Sequence, residues 1–365
     1  MCVVVSFHTY VWLFLIEIFS KIISLWHQKT DDMLSKIITE ENVKHAFTLI
    51  ENAENIVIVS HVGPDGDAVG STLGMYHFLK ELDKEATIVL PNEFPLYLNW
   101  MPNSNEIVIA EDNLDRAVQI LKHCDLLIMI DFNELGRVNG LKPLIEVSNV
   151  PKILIDHHPY PADIADVIIS HPELSSASEL VFRLICRMGF AQKINKSCAE
   201  CIYTGMMTDT GGFSYNSNQS EIYLIVAELL RKGIDKDLIY KKINFSYSEN
   251  RIRLTGYCMY KKMKIYPEYR TAVIALSDEE LSRFEAKTGD TESIVNLPFS
   301  IKGIVFSAFF CDVIFSIRLL KKHITCIFLI LQNSSDVFTS PLTAVDGENT
   351  LLIQCVCNFQ LSYTG

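Results

Sequence analysis

Residues 56–67 read IVIVSHVGPDGD, and the reading of this stretch decides the fold. Its opening is a short run dominated by Val and Ile, the pattern of a strand buried on both faces of a parallel sheet. The run ends in a polar loop, His61-Val62-Gly63-Pro64-Asp65-Gly66-Asp67, and a helical pattern, DAVGSTLGMYHFLKEL, follows at once. Similar apolar runs recur at ATIVL (86–90), DLLIMI (125–130) and KILI (152–155), with helical periodicity between them, as in LDRAVQILKHC. Strand and helix in alternation predict an α/β domain with a mostly parallel sheet. Such sheets bind ligands beyond the carboxyl ends of their strands, so the loop after Ser60 is where chemistry is expected.

Outward from this centre, helices are expected at SSASELVFRLICRM (175–188) and NKSCAECIYTGMM (195–207). A long helical stretch, 220–262, reads as a linker out of a catalytic domain that spans 33–219. A second, smaller α/β domain begins after it, with TAVIAL (271–276) and IKGIVFSAFF (301–310), and occupies 263–310. Residues 311–365 form an atypical tail, rich in Cys, Phe and Ile without clear alternation, so the second domain reads as incomplete. Residues 1–32 form an apolar, aromatic extension. His8 and Glu17 interrupt it, and the run before Glu17 is shorter than the about 20 residues of a spanning helix. No basic region precedes the apolar part and no small-residue cleavage site follows it. The favoured start of the natural chain is near Met33; a membrane anchor or a surface-lying amphipathic helix over 1–29 is the alternative.

Composition narrows the function. An apolar share of 49% with 21% charged residues describes a globular chain. The formal net charge of −12 argues against coating long duplex nucleic acid, which needs many Lys and Arg against phosphates. A short phosphorylated substrate stays compatible, because divalent ions can supply the positive charge locally. Ten cysteines scattered through apolar segments read as thiols of a reducing compartment, and the cytoplasm is the expected location. Cys198 and Cys201 form a C-x-x-C, but inside a helical stretch with no second pair at zinc spacing, so the core reading prevails. Cys355 and Cys357 alternate as on one face of a strand, again without a His or Cys cluster.

Four segments deliver His and Asp to the same expected edge of the sheet. The first gathers His61, Asp65 and Asp67 within one tight turn, which Gly63, Pro64 and Gly66 permit. A single Asp there would be a helix N-cap; carboxylates this close to one another repel unless a cation sits among them. The third apolar run ends in Asp131, and the fourth in Asp156-His157-His158, whose bland reading is a turn before Pro159. The fourth segment is Thr208-Asp209-Thr210-Gly211-Gly212, on its own a helix C-terminal loop. Carboxylates and imidazoles without thiolates suit two hard or borderline divalent ions, Mn²⁺ foremost and Mg²⁺ as competitor. Two ions about 3.5–4 Å apart, bridged by a carboxylate and a water, would polarise a phosphate ester and generate hydroxide near neutral pH.

The segments HVGPDGDAVGS, IDFNELGRV, IDHHP and MTDTGGF, in that order, resemble the four motifs of DHH phosphoesterases. The branch they resemble is the bacterial oligoribonucleases (nanoRNases) that also dephosphorylate 3′-phosphoadenosine 5′-phosphate, over roughly Met33 to Phe310. The resemblance implies that His61 and Asp65 bind one metal, that Asp67, His157 and Asp209 bind the other, and that Asp131 bridges them. It implies that His158 faces the scissile phosphate as substrate contact or proton donor, with Asp156 orienting the histidines by a hydrogen bond. Ser71 and Arg137 are substrate-contact candidates, Arg137 toward phosphate. The implied partner is a short single-stranded oligonucleotide or a phosphorylated nucleotide.

One feature departs from that branch, whose second domain carries a Gly-Gly-Gly-His segment. After Gly303 the only glycines are Gly347 and Gly365, so no such triplet exists here. Phosphoesterase chemistry is therefore better founded than oligonucleotide preference. The alternatives are a hydrolase of cyclic-dinucleotide breakdown products or of polyphosphate, and a catalytically impaired nucleotide-binding remnant. A polyphosphate enzyme is expected to surround its site with more Lys and Arg than these segments contain.

Overall fold

In the computed structural model, residues 36–311 are described, together with the backbone of two strands at 315–319 and 322–328. The expectations for residues 1–32, for a start at Met33 and for the remainder of the tail, Cys355 and Cys357 included, fall outside the described residues. The chain divides into two compact units between Ser246 and Tyr247, and the stretch 220–262 falls on both sides of that division.

The first unit opens with α1 (Glu40–Asn52), whose first turn is capped by the Thr39 hydroxyl. It continues β1 (Asn55–Val59), α2 (Gly66–Glu81), β2 (Glu85–Leu90), β3 (Val108–Ile109), α3 (Leu114–His123), β4 (Leu126–Ile130) and α4 (Lys142–Val147). Then come β5 (Lys152–Asp156), β6 (Val167–Ser170), α5 (Ala177–Arg187), α6 (Lys196–Asp209), α7 (Ser220–Arg231) and α8 (Lys236–Asn244). All six strands are parallel, in the order β3-β2-β1-β4-β5-β6. The four apolar runs are the four central strands. The two short edge strands, β3 and β6, were not expected; runs of two and four residues are too brief to show a period.

Successive residues of β1 divide between the two faces of the sheet, as the strand period requires. Ile56 and Ile58 join the core that contains Leu73 and Phe78 of α2, Leu180 of α5 and Ile202 of α6. Val57 and Val59 join the core that contains Leu121 of α3 and Ile145 of α4. Both faces are therefore covered, which is why these strands carry no polar alternation. The chain builds outward from β1 through β2 to β3, then returns to β4 on the other side of β1. The strand order thus reverses between β1 and β4, the topological switch point where open α/β sheets hold ligands.

Helices α2 and α6 approach each other more closely than side chains would allow. Gly66, Gly70 and Gly74 recur every fourth residue along α2. A Cβ on Gly70 would stand 2.7 Å from the Cys201 carbonyl oxygen and 2.9 Å from Gly205 Cα; one on Gly66 would stand 2.4 Å from Thr208 Oγ1. The bare backbone lets the first turn of α2 lie beside the last turn of α6. Within this packing Cys198 and Cys201 are buried free thiols, and Cys198 Sγ donates to Gly74 O at 3.2 Å.

The second unit comprises α9 (Glu249–Tyr257), β7 (Lys264–Tyr266), β8 (Thr271–Leu276), α10 (Asp278–Arg283), β9 (Phe306–Cys311), β10 (Phe315–Leu319) and β11 (Lys322–Phe328). Its sheet runs β11-β10-β9-β8-β7, with β8 and β9 parallel and the other pairs antiparallel. Leu254, Ile274, Leu276, Ile294 and Phe309 form its core. The tail therefore begins with two strands, β10 paired with β9 and β11 with β10, and the first of them, Phe315–Leu319, alternates apolar and polar residues over five positions although the tail as a whole does not. Among the described residues no helix is long and apolar enough to cross a membrane.

Candidate metal centre

The centre sits at the carboxyl ends of β1, β4 and β5. Ser60, just beyond β1, donates its hydroxyl to Ile130 O at 2.8 Å and so fixes the ends of β1 and β4 side by side. His61 follows, buried. Its Nδ1–H donates to the Val62 carbonyl at 2.9 Å, which leaves Nε2 to face Asp131 Oδ2 at 3.4 Å. The loop then turns at Gly63, whose φ of +65° suits glycine and whose N–H donates to Asn92 Oδ1 at 2.8 Å. Asp65 is the N-cap of α2: its Oδ1 accepts from the N–H groups of Asp67 (3.0 Å) and Ala68 (3.1 Å). The capping reading and the ligand reading coexist, since the same carboxyl group also belongs to a cluster with His61 and Asp131.

Asp67 lies in the first turn of α2, and both its oxygens meet the start of α5. Oδ2 accepts from Ala177 N at 2.6 Å and Oδ1 from Ser178 N at 3.0 Å. A helix N-terminus, with its unpaired N–H groups, is a natural seat for a buried carboxylate. Asp131 stands at the end of β4 with φ +68°, a left-handed conformation that costs a non-glycine residue roughly 1–2 kcal/mol. Its N–H is tied to Ile155 O at 3.0 Å, so the strained turn is held by the neighbouring strand. Strain at a strand end that aims a carboxylate into a cluster of titratable groups marks a functional position.

From the end of β5, Asp156 is fully buried and accepts from His158 N at 3.1 Å and from His158 Nδ1 at 2.8 Å. The His157 ring lies against that of His158, their centroids 4.8 Å apart, and its Nε2 lies 3.5 Å from Asp131 Oδ1, 3.6 Å from Asp209 Oδ2 and 3.9 Å from Asp67 Oδ2. Asp209 ends α6, ahead of a turn in which Gly211 and Gly212 take positive φ. Three groups of donor atoms result: His61, Asp65 and Asp131; Asp67, His157 and Asp209; and Asp131, His157 and His158. Within each group the atoms lie within 4.8 Å of one another, near the about 4.2 Å between opposite ligands of an ion bound at 2.1 Å. Asp131 is common to the first group and the third.

The electrostatics fit a cation. Asp131 Oδ1 is buried and makes no hydrogen bond, an orphaned acceptor at the middle of the cluster. Burial raises the Asp67 carboxyl, and repulsion from Asp131 and Asp209 lifts it further, well above the ordinary range. Burial opposes charge on His157, yet Asp131, Asp209 and Asp67 outweigh it and raise that imidazole well above its usual value. Burial likewise opposes charge on His61, which Asp131 and Asp65 nonetheless raise. For Asp131 burial is again opposed, here by His157 and His61, which hold its carboxyl below the usual carboxylate range. So close a set of buried carboxylates is one that divalent ions would neutralise.

Of the remaining expected residues, Arg137 is half-buried beside the His61 loop; its carbonyl accepts from Val62 N at 2.7 Å and its charge acts on His61. Ser71 is not among the donor atoms. It is fully buried within α2, its hydroxyl donating to Asp67 O at 2.6 Å. Sequence reading overlooked Ser60, Asn92, the start of α5 and the glycine face of α2. Two signals were present: glycine at every fourth residue of a helix, and Ser176-Ala-Ser-Glu179, a helix-start pattern in which the Ser176 hydroxyl accepts from Glu179 N.

Comparison with known proteins bears on this centre. A model described as "DHH family, N-terminal domain" matches residues 55–206, which include every donor except Asp209. The chain is 31% identical over 190 residues to the bifunctional oligoribonuclease and PAP phosphatase NrnA of Thermus thermophilus, covering 52% of this chain and 54% of that protein. It therefore spans about half the length of that relative. It is 25% identical over 269 residues to a probable bifunctional oligoribonuclease and PAP phosphatase NrnA of Streptococcus mutans, covering 74% of this chain and 81% of that one. Among solved structures, an exopolyphosphatase-related protein from Bacteroides fragilis is 42% identical with a TM-score of 0.78, over 90% of this chain and 98% of that chain.

Proposed function

Because the chain belongs to the DHH family, we propose that it is a divalent-metal-dependent phosphoesterase that hydrolyses short oligonucleotides, 3′-phosphoadenosine 5′-phosphate, or both. The observation that carries this reading is the set of adjoining donor groups at the β1/β4 switch point, linked in turn by Asp131 and His157, with an orphaned oxygen of Asp131 among them. In this reading His61 and Asp65 hold one ion, Asp67, His157 and Asp209 hold a second, and Asp131 serves both. Mn²⁺ or Mg²⁺ bound there would polarise the phosphate ester and bring a water's pKa into the neutral range.

The chain's own side chains do the rest. The Asp156 carboxylate takes the Nδ1–H of His158 at 2.8 Å, which fixes the ring and leaves Nε2 to pass a proton to the departing oxygen. The α5 N–H groups fix Asp67 against rotation, and the tie from Asp131 N to Ile155 O does the same for the bridging residue. Arg137, beside His61, supplies a cation toward substrate phosphate in a chain of net charge −12. Both NrnA relatives are named for activity on oligoribonucleotides and on PAP, which supports the substrate class. The buried free thiols support a reducing, cytoplasmic setting. A second reading, hydrolysis of inorganic polyphosphate, is favoured by the name of the Bacteroides structure.

The test is a substrate panel of a trinucleotide, 3′-phosphoadenosine 5′-phosphate and inorganic polyphosphate, each with Mn²⁺, with Mg²⁺ and with chelator. The expected result is metal-dependent cleavage of one or both nucleotide substrates, none with chelator, and little phosphate from polyphosphate. Polyphosphate cleaved in preference to both nucleotides would replace this reading by the second. No turnover of any substrate would mark the chain as an impaired remnant.

A further inference from the structure

We propose that Tyr160 is the platform on which the base of a bound nucleotide stacks, an inference that rests on the phosphoesterase reading above. Tyr160 is 88% exposed, and among the described residues its ring meets no aromatic, charged or hydrogen-bonding partner. It also sits at φ +60°, in the left-handed region that a bulky residue avoids. Pro161 follows it, and a residue before proline is driven toward extended backbone instead. An aromatic side chain held against both preferences, with no packing to offset them, points to work outside the fold.

The surroundings hold the turn that carries the ring beside the centre. Tyr160 lies between Pro159 and Pro161, two residues beyond His158, so at most about 7.6 Å separates the Cα atoms of Tyr160 and His158. Asn133, two residues beyond Asp131, clamps the turn from both sides: its Nδ2 donates to Pro159 O at 2.9 Å, and its carbonyl accepts from Ala162 N at 2.8 Å. The ring is thus tethered to the two segments that carry Asp131 and His158. A nucleotide held by its phosphate at these residues has its base one ribose away, within reach of the ring. Aromatic faces recognise bases of any sequence, because every base has a π face. Inorganic polyphosphate has nothing to place there, so Tyr160 selects nucleotides over polyphosphate.

The test measures binding, which needs no turnover. Adenosine 5′-monophosphate, the product class of both proposed substrates, and ribose 5-phosphate are titrated by calorimetry into the Mn²⁺-loaded full chain. Four proteins are compared: wild type, Tyr160→Ala, Tyr160→Trp and Tyr160→Gly. Stacking on one residue predicts that wild type binds the nucleotide about five- to a hundredfold tighter than ribose 5-phosphate. Tyr160→Ala should remove most of that preference without changing the affinity for ribose 5-phosphate, and Tyr160→Trp should keep it. Tyr160→Gly should bind like Tyr160→Ala while its Tm is unchanged or higher, since it relieves the backbone and removes no packing. Wild type without a preference for the base, or Tyr160→Ala that loses both ligands equally, would overturn the proposal. Failure to hydrolyse both a trinucleotide and 3′-phosphoadenosine 5′-phosphate would instead overturn the substrate reading, and the binding comparison would still decide the role of Tyr160.

Discussion

Replacing Gly205 by alanine places a methyl carbon 1.9 Å from Ser178 Oγ, 2.7 Å from Asp67 Oδ1 and 2.9 Å from Ser178 Cβ. Ordinary contact needs about 3.5 Å or more, so the Ser178 hydroxyl must yield by about 1.6 Å and the Asp67 carboxylate by about 0.8 Å. Ser178 opens the helix whose N–H groups hold Asp67, and it cannot move without carrying that grip with it. Overpacking of this kind costs about 1–3 kcal/mol of stability. Weakening either hydrogen bond to the carboxylate adds about 1.5–3 kcal/mol of lost interaction at the second ion's ligand. At 1.36 kcal/mol per factor of ten, Gly205→Ala should weaken Mn²⁺ binding at that position by roughly ten- to a hundredfold, although it alters no donor atom. Gly74→Ala is the control. Its methyl meets the flexible end of Ile202, at 2.8 Å from Cγ1, far along α2 from any ligand, and alanine's better helix propensity of about 0.5–1 kcal/mol offsets the crowding. Ser178→Gly in the Gly205→Ala background removes two of the three close contacts and should restore part of the affinity. The assays are Mn²⁺ titration calorimetry and thermal unfolding of all four proteins. Wild-type Mn²⁺ affinity in Gly205→Ala, or equal damage from Gly74→Ala, would refute the claim that this helix contact seats Asp67.

Asp131→Ala is expected to abolish hydrolysis while the fold persists; more than a few per cent of the rate with two ions still bound would remove the bridging role. With φ at +68°, Asp131→Gly should exceed Asp131→Ala in stability by about 1 kcal/mol, a Tm difference of roughly 2–4 °C readable by calorimetry. His158→Ala should lower kcat by about 10²–10⁴-fold and leave bound metal nearly intact, whereas equal loss of both would make His158 a ligand instead of a proton donor. Chelation should lower Tm, because an ion at 100 times its Kd contributes about 2.7 kcal/mol to the folded state; an unchanged Tm on adding and removing Mn²⁺ would mean that the cluster holds none.

The four central strands were legible because a strand buried on both faces must be apolar at every position, and runs such as IVIV and LLIMI announce themselves locally. The candidate ligands were legible for a related reason: His61, Asp131 and Asp156-His157-His158 each follow such a run at once, and the end of a buried strand is an improbable place for a charge. For Ser71 the same local view says little. A hydroxyl one turn beyond Asp67 seems near the site, but helical rotation directs it into the packed interior, onto the Asp67 carbonyl. The edge strands carried too few residues to read, and in the tail the alternation of FSIRL spans only five residues within an otherwise patternless stretch.

By itself the sequence determined that the chain is an α/β protein, that candidate hard-ion ligands stand at its strand ends, and that they arrive in four separate segments. Which of these donor atoms lie within reach of one another is seen only in the tertiary structure. That grouping depends on β1 lying beside β4, so that His61 meets Asp131, and on α2 crossing α6 through bare glycine backbone, so that Asp67 meets Asp209. It depends also on the start of α5 reaching Asp67 across 110 residues of chain. Local periodicity records which face of an element is buried, because that is a property of a few consecutive residues. Neighbours in a parallel sheet are set by crossovers and by the packing of whole faces, and no window of sequence contains both partners.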